Sequence, residues 1–208
     1  MKKTALPLTL VLLAGCAGQT PPSYRYYLDQ KGLGPQTPES FQHCHGYGCQ
    51  YIAEVTFSQQ DWAEIKRIFS ANQSTPEIER KTIKAAIALF EQKVGAQTGT
   101  DVDYRGTFRK TGRYQLDCVD ESTNTTIYLS LLQQKGLLKH HRVESPTARF
   151  PIIHAGRWPH QTAVISELKT GQSYVVDSWF HNNGAPPEIV SLKQWKEGWK
   201  PKAPDDTL

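Results

Sequence analysis

Gln115-Leu116-Asp117-Cys118-Val119-Asp120-Glu121-Ser122-Thr123-Asn124-Thr125 reads as the start of a helix with a cysteine in its first turn. Asp117 is a helix-capping residue, and Asp120 and Glu121 put carboxylates where the positive end of a helix favours them. Ile127, Leu131 and Leu132 recur at helical spacing, so the helix has a face to bury; it runs to about Gln134 and stops at Gly136. A thiol so placed has a reason to ionise. Free cysteine titrates near ~8.5, and a helix N-terminus or a neighbouring imidazolium pulls that to roughly 3.5–7.5. Asp117, Asp120 and Glu121 work against this, because nearby negative charge raises a thiol's pKa. A reactive Cys118 therefore needs a basic partner that outweighs them.

Two strand-like runs downstream supply one. His160–Leu168 and Ser173–Phe180 are joined by Lys169-Thr170-Gly171-Gln172, a hairpin turn by its length and its glycine. Folding about Thr170 brings His160, which opens the first strand, within diagonal reach of Asp177, late in the second. A carboxylate in an apolar strand needs a partner. Asp177 is expected to accept from one ring nitrogen and fix the tautomer, leaving the other to take the thiol proton. Backbone N–H groups at the helix start, and the Gln115 side chain, are the candidates for stabilising an oxyanion. His154 and His181 are competing bases. Trp158 and Trp179 are candidate groove residues, although large aromatics more often belong to the core.

The other end of the chain carries a different signal. Met1-Lys2-Lys3 is a positively charged start, Ala5–Ala14 is a short apolar stretch, and Leu13-Ala14-Gly15-Cys16 resembles a bacterial lipobox. The apolar run is well short of the ~20 residues that span a bilayer. What the lipobox implies is a signal peptide over residues 1–15, cleavage before Cys16, and lipidation of Cys16 as a membrane anchor. Ala17, where an Asp is absent, implies the inner leaflet of the outer membrane, facing the periplasm. In that oxidising compartment Cys44 and Cys49, close together in His43-Cys44-His45-Gly46-Tyr47-Gly48-Cys49, are expected to form a local disulfide rather than a zinc site. Of the four cysteines that leaves Cys118 as the free thiol.

The remaining segments place this chemistry. The chain has 208 residues, 38% hydrophobic and 21% charged, which suits a signal segment and one domain. Its formal charge is +4, part of it on Lys2 and Lys3, so no basic patch points to nucleic acid. Residues 16–40 read as a Pro- and Gly-rich tether, 41–200 as the domain and 201–208 as a frayed tail. Cys49–Phe57 has strand character, and Ser58 caps a short helix from Gln59 to about Ser70. Thr75-Pro76 opens a helix to about Val94, with Gly95 closing it and Glu77, Glu79, Arg80 and Lys84 on a solvated face. Asp101 and Asp103 lie in a polar connection that lacks the ligand pattern of a calcium loop. Leu137–Val143 leads into a loop with Pro146 and Pro151, and Leu192–Trp199 reads as a short terminal helix. The expected fold class is α+β: a helical N-terminal part, and a small antiparallel sheet packed on the helix that carries Cys118.

A cysteine at a helix start, followed by His and Asp on successive strands, resembles the transglutaminase-like cysteine peptidases of the papain-like group. The resemblance covers Gln115 to Phe180, and Asp117-Cys118-Val119-Asp120 is similar to the Asp-Cys-Glu-Asp signature of bacterial members. It implies Cys118 as nucleophile, His160 as base and Asp177 as orienting group, with an envelope protein or peptide amide as substrate. In some periplasmic relatives acidic residues beside the nucleophile bind calcium; Val119 in place of Glu argues against that, and no cofactor is expected. A peptidoglycan endopeptidase is the runner-up, although its usual Asp-Cys-Ser-Gly motif is absent. A non-catalytic envelope lipoprotein of the same fold is the third reading.

Overall fold

The computed structural model of the chain describes residues 23–70, 73–107, 112–150 and 159–202. Cys16 and the signal segment, His154 and Trp158 lie outside them, as does most of the tail. The helix that Cys118 opens, here α4 (Cys118–Gln134), is the centre of the fold. Its N-terminus is a reciprocal capping box. Asp117 Oδ1 accepts from the Val119 and Asp120 N–H groups at 3.0 and 2.9 Å, and Asp120 Oδ2 accepts from the Asp117 N–H at 3.2 Å. Every residue from Asp120 to Leu132 is buried, so α4 has no solvated face, against the one-sided burial that Ile127, Leu131 and Leu132 suggest. Its polar residues tolerate this because their hydroxyls turn back on the helix. Thr123 donates to Val119 O at 2.6 Å, Thr126 to Ser122 O at 2.7 Å and Ser130 to Ile127 O at 2.7 Å.

The protein is α+β. The larger sheet is antiparallel and in chain order: β1 (Ser40–His45) and β2 (Tyr51–Thr56) form a separate pair, and β3 (His141–Arg149), β4 (His160–Glu167), β5 (Ser173–Asp177) and β6 (Glu188–Ser191) form the four-stranded sheet. α4 packs on β3, β4 and β5, and also on β1. The β4–β5 hairpin turns at Gly171, with φ at 71°, and pairs Ser166 with Ser173 through Ala163 with Val176. β3 occupies residues read from sequence as a loop because of Pro146. The register shifts between Glu144 and Thr147, and that irregularity absorbs a residue with no N–H to give the ladder. β6 is a short edge strand directly after Pro186 and Pro187.

The helices differ from expectation in instructive places. α1 (Tyr24–Gln30) lies in the stretch read as a tether, and it packs on β3 with Tyr24, Leu28 and the following Leu33 buried. α2 (Gln59–Ile68) is capped by Ser58 and Asp61. α3 (Pro76–Thr98) runs past Gly95 and stops at Gly99, whose φ is 80°. Gly95 stays helical and is needed for a close approach: a Cβ there would sit 2.9 Å from the Asp101 backbone nitrogen. Glu79, assigned from sequence to a solvated face, is fully buried. α5 (Leu192–Lys196) ends before Trp199. Phe41, Phe57, Trp62, Phe90 and Tyr128 join β1, α2, α3 and α4 through ring contacts of 4.9–6.3 Å. No described helix is long and apolar enough to cross a membrane.

Candidate active site

Cys118 is the first residue of α4 and is half-buried, and it is the free cysteine among the described residues. Its sulfur accepts from the backbone N–H of Gln161, the residue after His160, so the helix start and the start of β4 meet at the thiol. Burial, followed by the charges of Asp117 and Asp177, pushes the thiol up to about 11, while the Gln161 N–H pulls it down. At neutral pH the group is a thiol.

His160 is the base expected from the sequence, and among the described residues no hydrogen bond joins its ring to the thiol. Asp177 sits diagonally across the hairpin, and the His160 Nε2–Asp177 Oδ2 distance is 2.8 Å. The same oxygen accepts from the Trp195 indole N–H at 2.8 Å. An ionised carboxylate is acceptor-only, so it holds the histidine proton on Nε2. The lone pair is then on Nδ1, and Nδ1 is buried with no hydrogen-bond partner among the described residues. Trp179, Phe180 and Trp195 surround the ring, with centroids 4.7, 5.3 and 5.5 Å away. This apolar wall excludes water from an imidazole whose open nitrogen is unsatisfied. His181, the competing base, is tied to Glu188 Oε1 at 3.0 Å.

Gln115 is buried, and its amide ties down the preceding turn: its nitrogen donates to Val102 O at 2.7 Å and its oxygen accepts from the Tyr104 N–H at 3.0 Å. One of its two amide hydrogens is thus spent on Val102. The Gln161 side chain donates to Tyr27 Oη and to Ser122 Oγ, both at 2.7 Å, and Tyr27 Oη lies 2.8 Å from Thr123 Oγ1. A tyrosine from the stretch read as a tether therefore pins α1 to the first turns of α4 beside the thiol.

The Cys44–Cys49 disulfide is present. His43 is held by Tyr128 Oη at 3.0 Å and Thr100 Oγ1 at 3.2 Å, and His45 by Arg113 O at 2.8 Å. Among the described residues no three His, Cys, Asp or Glu side chains are grouped to hold a metal ion. The ring closed by the disulfide is docked on α4. Gly46, Tyr47, Gly48 and Cys49 have φ of 81, 75, 69 and 62°, a left-handed run of four in which two residues are not glycine. Each non-glycine residue so held costs roughly 1–2 kcal/mol. Sequence reasoning missed this, because Gly46 and Gly48 signal a turn but nothing signals the conformation of Tyr47 and Cys49.

It also missed Trp195 and a group of buried acids behind the thiol. Asp103 and Glu121 are hydrogen-bonded side chain to side chain, and Asp103 accepts from the Leu116 N–H at 2.6 Å. Burial pushes Asp103 up to about 7 and Glu91 up to about 8, and it raises Glu121 well above the usual carboxylate range. Asp103, read from sequence in a polar connection, is part of this internal network. No protein-family model, curated protein or solved structure matches the chain.

Proposed function

We propose that this protein is a cysteine hydrolase or acyltransferase of the transglutaminase-like kind, acting on amide bonds through Cys118, His160 and Asp177. The observation that carries the reading is the His160 ring: one nitrogen is fixed by Asp177, and the other is buried, unpaired and next in sequence to the residue that contacts the thiol. In the first step Cys118 Sγ attacks the amide carbon as its proton passes to His160 Nδ1. The same proton then goes to the leaving amine nitrogen as the C–N bond breaks, leaving a thioester. Water or an amine attacks the thioester, gives its proton to Nδ1, and the thiol leaves with that proton. Because the resting group is a thiol, His160 acts as a general base during attack. For the oxyanion, the Cys118 N–H at the helix start and the second Gln115 amide hydrogen are the candidates. The lipobox ending at Cys16 supports anchoring in the bacterial envelope, with an envelope protein or peptide as substrate.

Iodoacetamide labelling, read at the Cys118 peptide by mass spectrometry, tests the chemistry. Selective labelling that His160→Ala suppresses is expected; a folded protein whose Cys118 labels equally with and without His160 overturns the proposal. Incorporation of labelled palmitate, lost in Cys16→Ser, tests the anchor.

A further inference from the structure

The disulfide ring presents its backbone to the thiol-bearing helix with unusual completeness. Gly46 N–H donates to Gln115 O at 3.0 Å, Tyr47 N–H to Asp120 Oδ2 at 2.7 Å, Gly48 N–H to Asp117 Oδ1 at 3.2 Å and Cys49 N–H to Asp120 Oδ1 at 2.6 Å. Four successive donors thus land on residues 115–120. The ring is held at its other end too, where the Asn124 side chain accepts from Cys44 N–H at 2.7 Å and donates to Cys44 O at 2.8 Å. Helix capping alone does not call for this. Asp117 and Asp120 already complete a capping box without it. What the left-handed run adds is N–H groups aimed at the two carboxylates on either side of Cys118, and strained backbone concentrates where function requires it.

Resting on the reading of Cys118 as nucleophile, we propose that the disulfide-closed turn 44–49 is a positioning element for that thiol. Its N–H groups bind the Asp117 and Asp120 side chains, offsetting part of the Asp117 charge that bears on the sulfur, and they hold the first turn of α4 seated against β4. Tyr47, Gly48 and Cys49 are positioning residues and touch no reacting atom. Opening the ring disables the thiol without altering it. The charged groups that act on the Cys118 thiol are Asp117 from its own helix start and Asp177 from the hairpin.

The test is the pH profile of iodoacetamide labelling at Cys118 in the full chain, for the wild type and for Cys44→Ser/Cys49→Ser, with near-ultraviolet circular dichroism as the check on folding. The double variant is expected to label at least tenfold more slowly at pH 7, with its midpoint moved to higher pH. Adding Asp117→Asn to it removes the charge that bears on the sulfur, keeps a capping side chain, and is expected to restore part of the rate, which a merely structural role would not do. A folded double variant with the wild-type rate and midpoint overturns the proposal. If the double variant fails to fold, Gly48→Ala keeps the disulfide; a Cβ there meets nothing within 4 Å, but a φ of 69° strains a side-chain-bearing residue, so the N–H aimed at Asp117 is displaced. It is expected to label severalfold more slowly, and an unchanged rate again overturns the proposal. A wild type whose labelling ignores His160 defeats the catalytic reading itself. His160-dependent labelling that ignores the ring defeats this inference alone.

Discussion

His141 and His160 are both buried, and each stands 2.8 Å from a buried carboxylate oxygen, of Glu79 and Asp177 respectively. They differ in what the second nitrogen meets. His141 Nδ1 donates to Glu79, and its Nε2 accepts from the Arg80 guanidinium at 3.1 Å. Arg80 also pairs with Glu167 at 3.4 Å and lies 4.0 Å over the Tyr174 ring. Glu79 is saturated in turn by the N–H groups of Lys139, His140 and His141 at 2.6–3.1 Å. That unit is closed and joins α3 to β3. His160 is turned the other way, with Nε2 on the acid and Nδ1 on nothing. A buried group left unpaired costs about 1–3 kcal/mol. The same two residue types therefore make a closed strut in one place and leave a ring nitrogen unpaired among the described residues in the other, and the proposed chemistry rests on the second.

Substituting each histidine pair separates the two roles. His160→Ala is expected to lower Cys118 labelling by ~100-fold or more, the usual worth of a positioned base, while the fold persists. Labelling that survives intact would make His160 a second strut. Glu79→Ala does the reverse. It strands His141 and Arg80 beside three unpaired N–H groups, and breaking a buried pair costs about 3–5 kcal/mol. Urea denaturation should show that loss, with Cys118 labelling in the folded fraction unchanged. Burial raises Glu79, but the hydrogen bonds from His141 and the Lys139 and His140 N–H groups outweigh it and hold its pKa below the usual value. Its stabilisation is therefore present above the ordinary glutamate range and is lost as pH falls through the lowered value.

These two pairs also mark what could be read from sequence. His160–Asp177 was legible because a hairpin with a short glycine turn fixes its own register, and the diagonal follows from counting. The span of α4 was legible because Asp117 and Asp120 cap it and Gly136 follows it. The His141–Glu79 strut went unseen, although Glu79 stands four residues before Ile83 on the stripe that continues through Ile87, Phe90 and Val94. A charge at the head of an apolar stripe is a sign of a buried pair; here it was assigned to the solvated face. β3 was hidden by Pro146, because a bulge cannot be inferred without its partner strand. Trp195 was out of reach altogether. It reaches Asp177 only after β6 and a turn bring α5 back onto β5, and no local spacing encodes that.

Trp195 gives the next effect in size. Its indole N–H and His160 share one oxygen of Asp177. Trp195→Phe keeps the aromatic wall and removes the donor. Hydrogen bonds to charged groups are worth ~1.5–3 kcal/mol, so a stability loss of that order is expected in urea melts. Cys118 labelling should fall severalfold, much less than with His160→Ala, because Asp177 still fixes the tautomer. A loss as deep as that of His160→Ala would mean that Trp195, more than Asp177, sets the ring.

The smallest effect concerns carboxylates that have no histidine at all. Glu91, Asp103 and Glu121 lie behind the site with folded-state values raised by burial, and Glu121 feels the charge of Asp177. For a raised carboxylate the folded state holds the proton longer than the unfolded one. Its stabilisation is complete below the unfolded value near ~4 and is lost as pH rises through the folded value, here about 7 to 8. His43 has the opposite sign. Burial, then His45, lowers it to about 3, so it stays neutral in the fold and destabilises as pH drops below its unfolded value near ~6.5. Above ~pH 4 the raised acids outnumber His43, so thermal melts should show a stability maximum near ~pH 4 and an alkaline limb between ~4 and ~8, with Tm falling by ~2–4 °C for each kcal/mol lost. Glu121→Gln keeps the shape and a donor toward Asp103 but cannot ionise, and it should flatten the alkaline limb. An alkaline limb unchanged in Glu121→Gln would move the titration to Glu91 and Asp103. The absence of any alkaline loss would mean that these acids are ionised in the fold and that Asp177 faces their charge across the site.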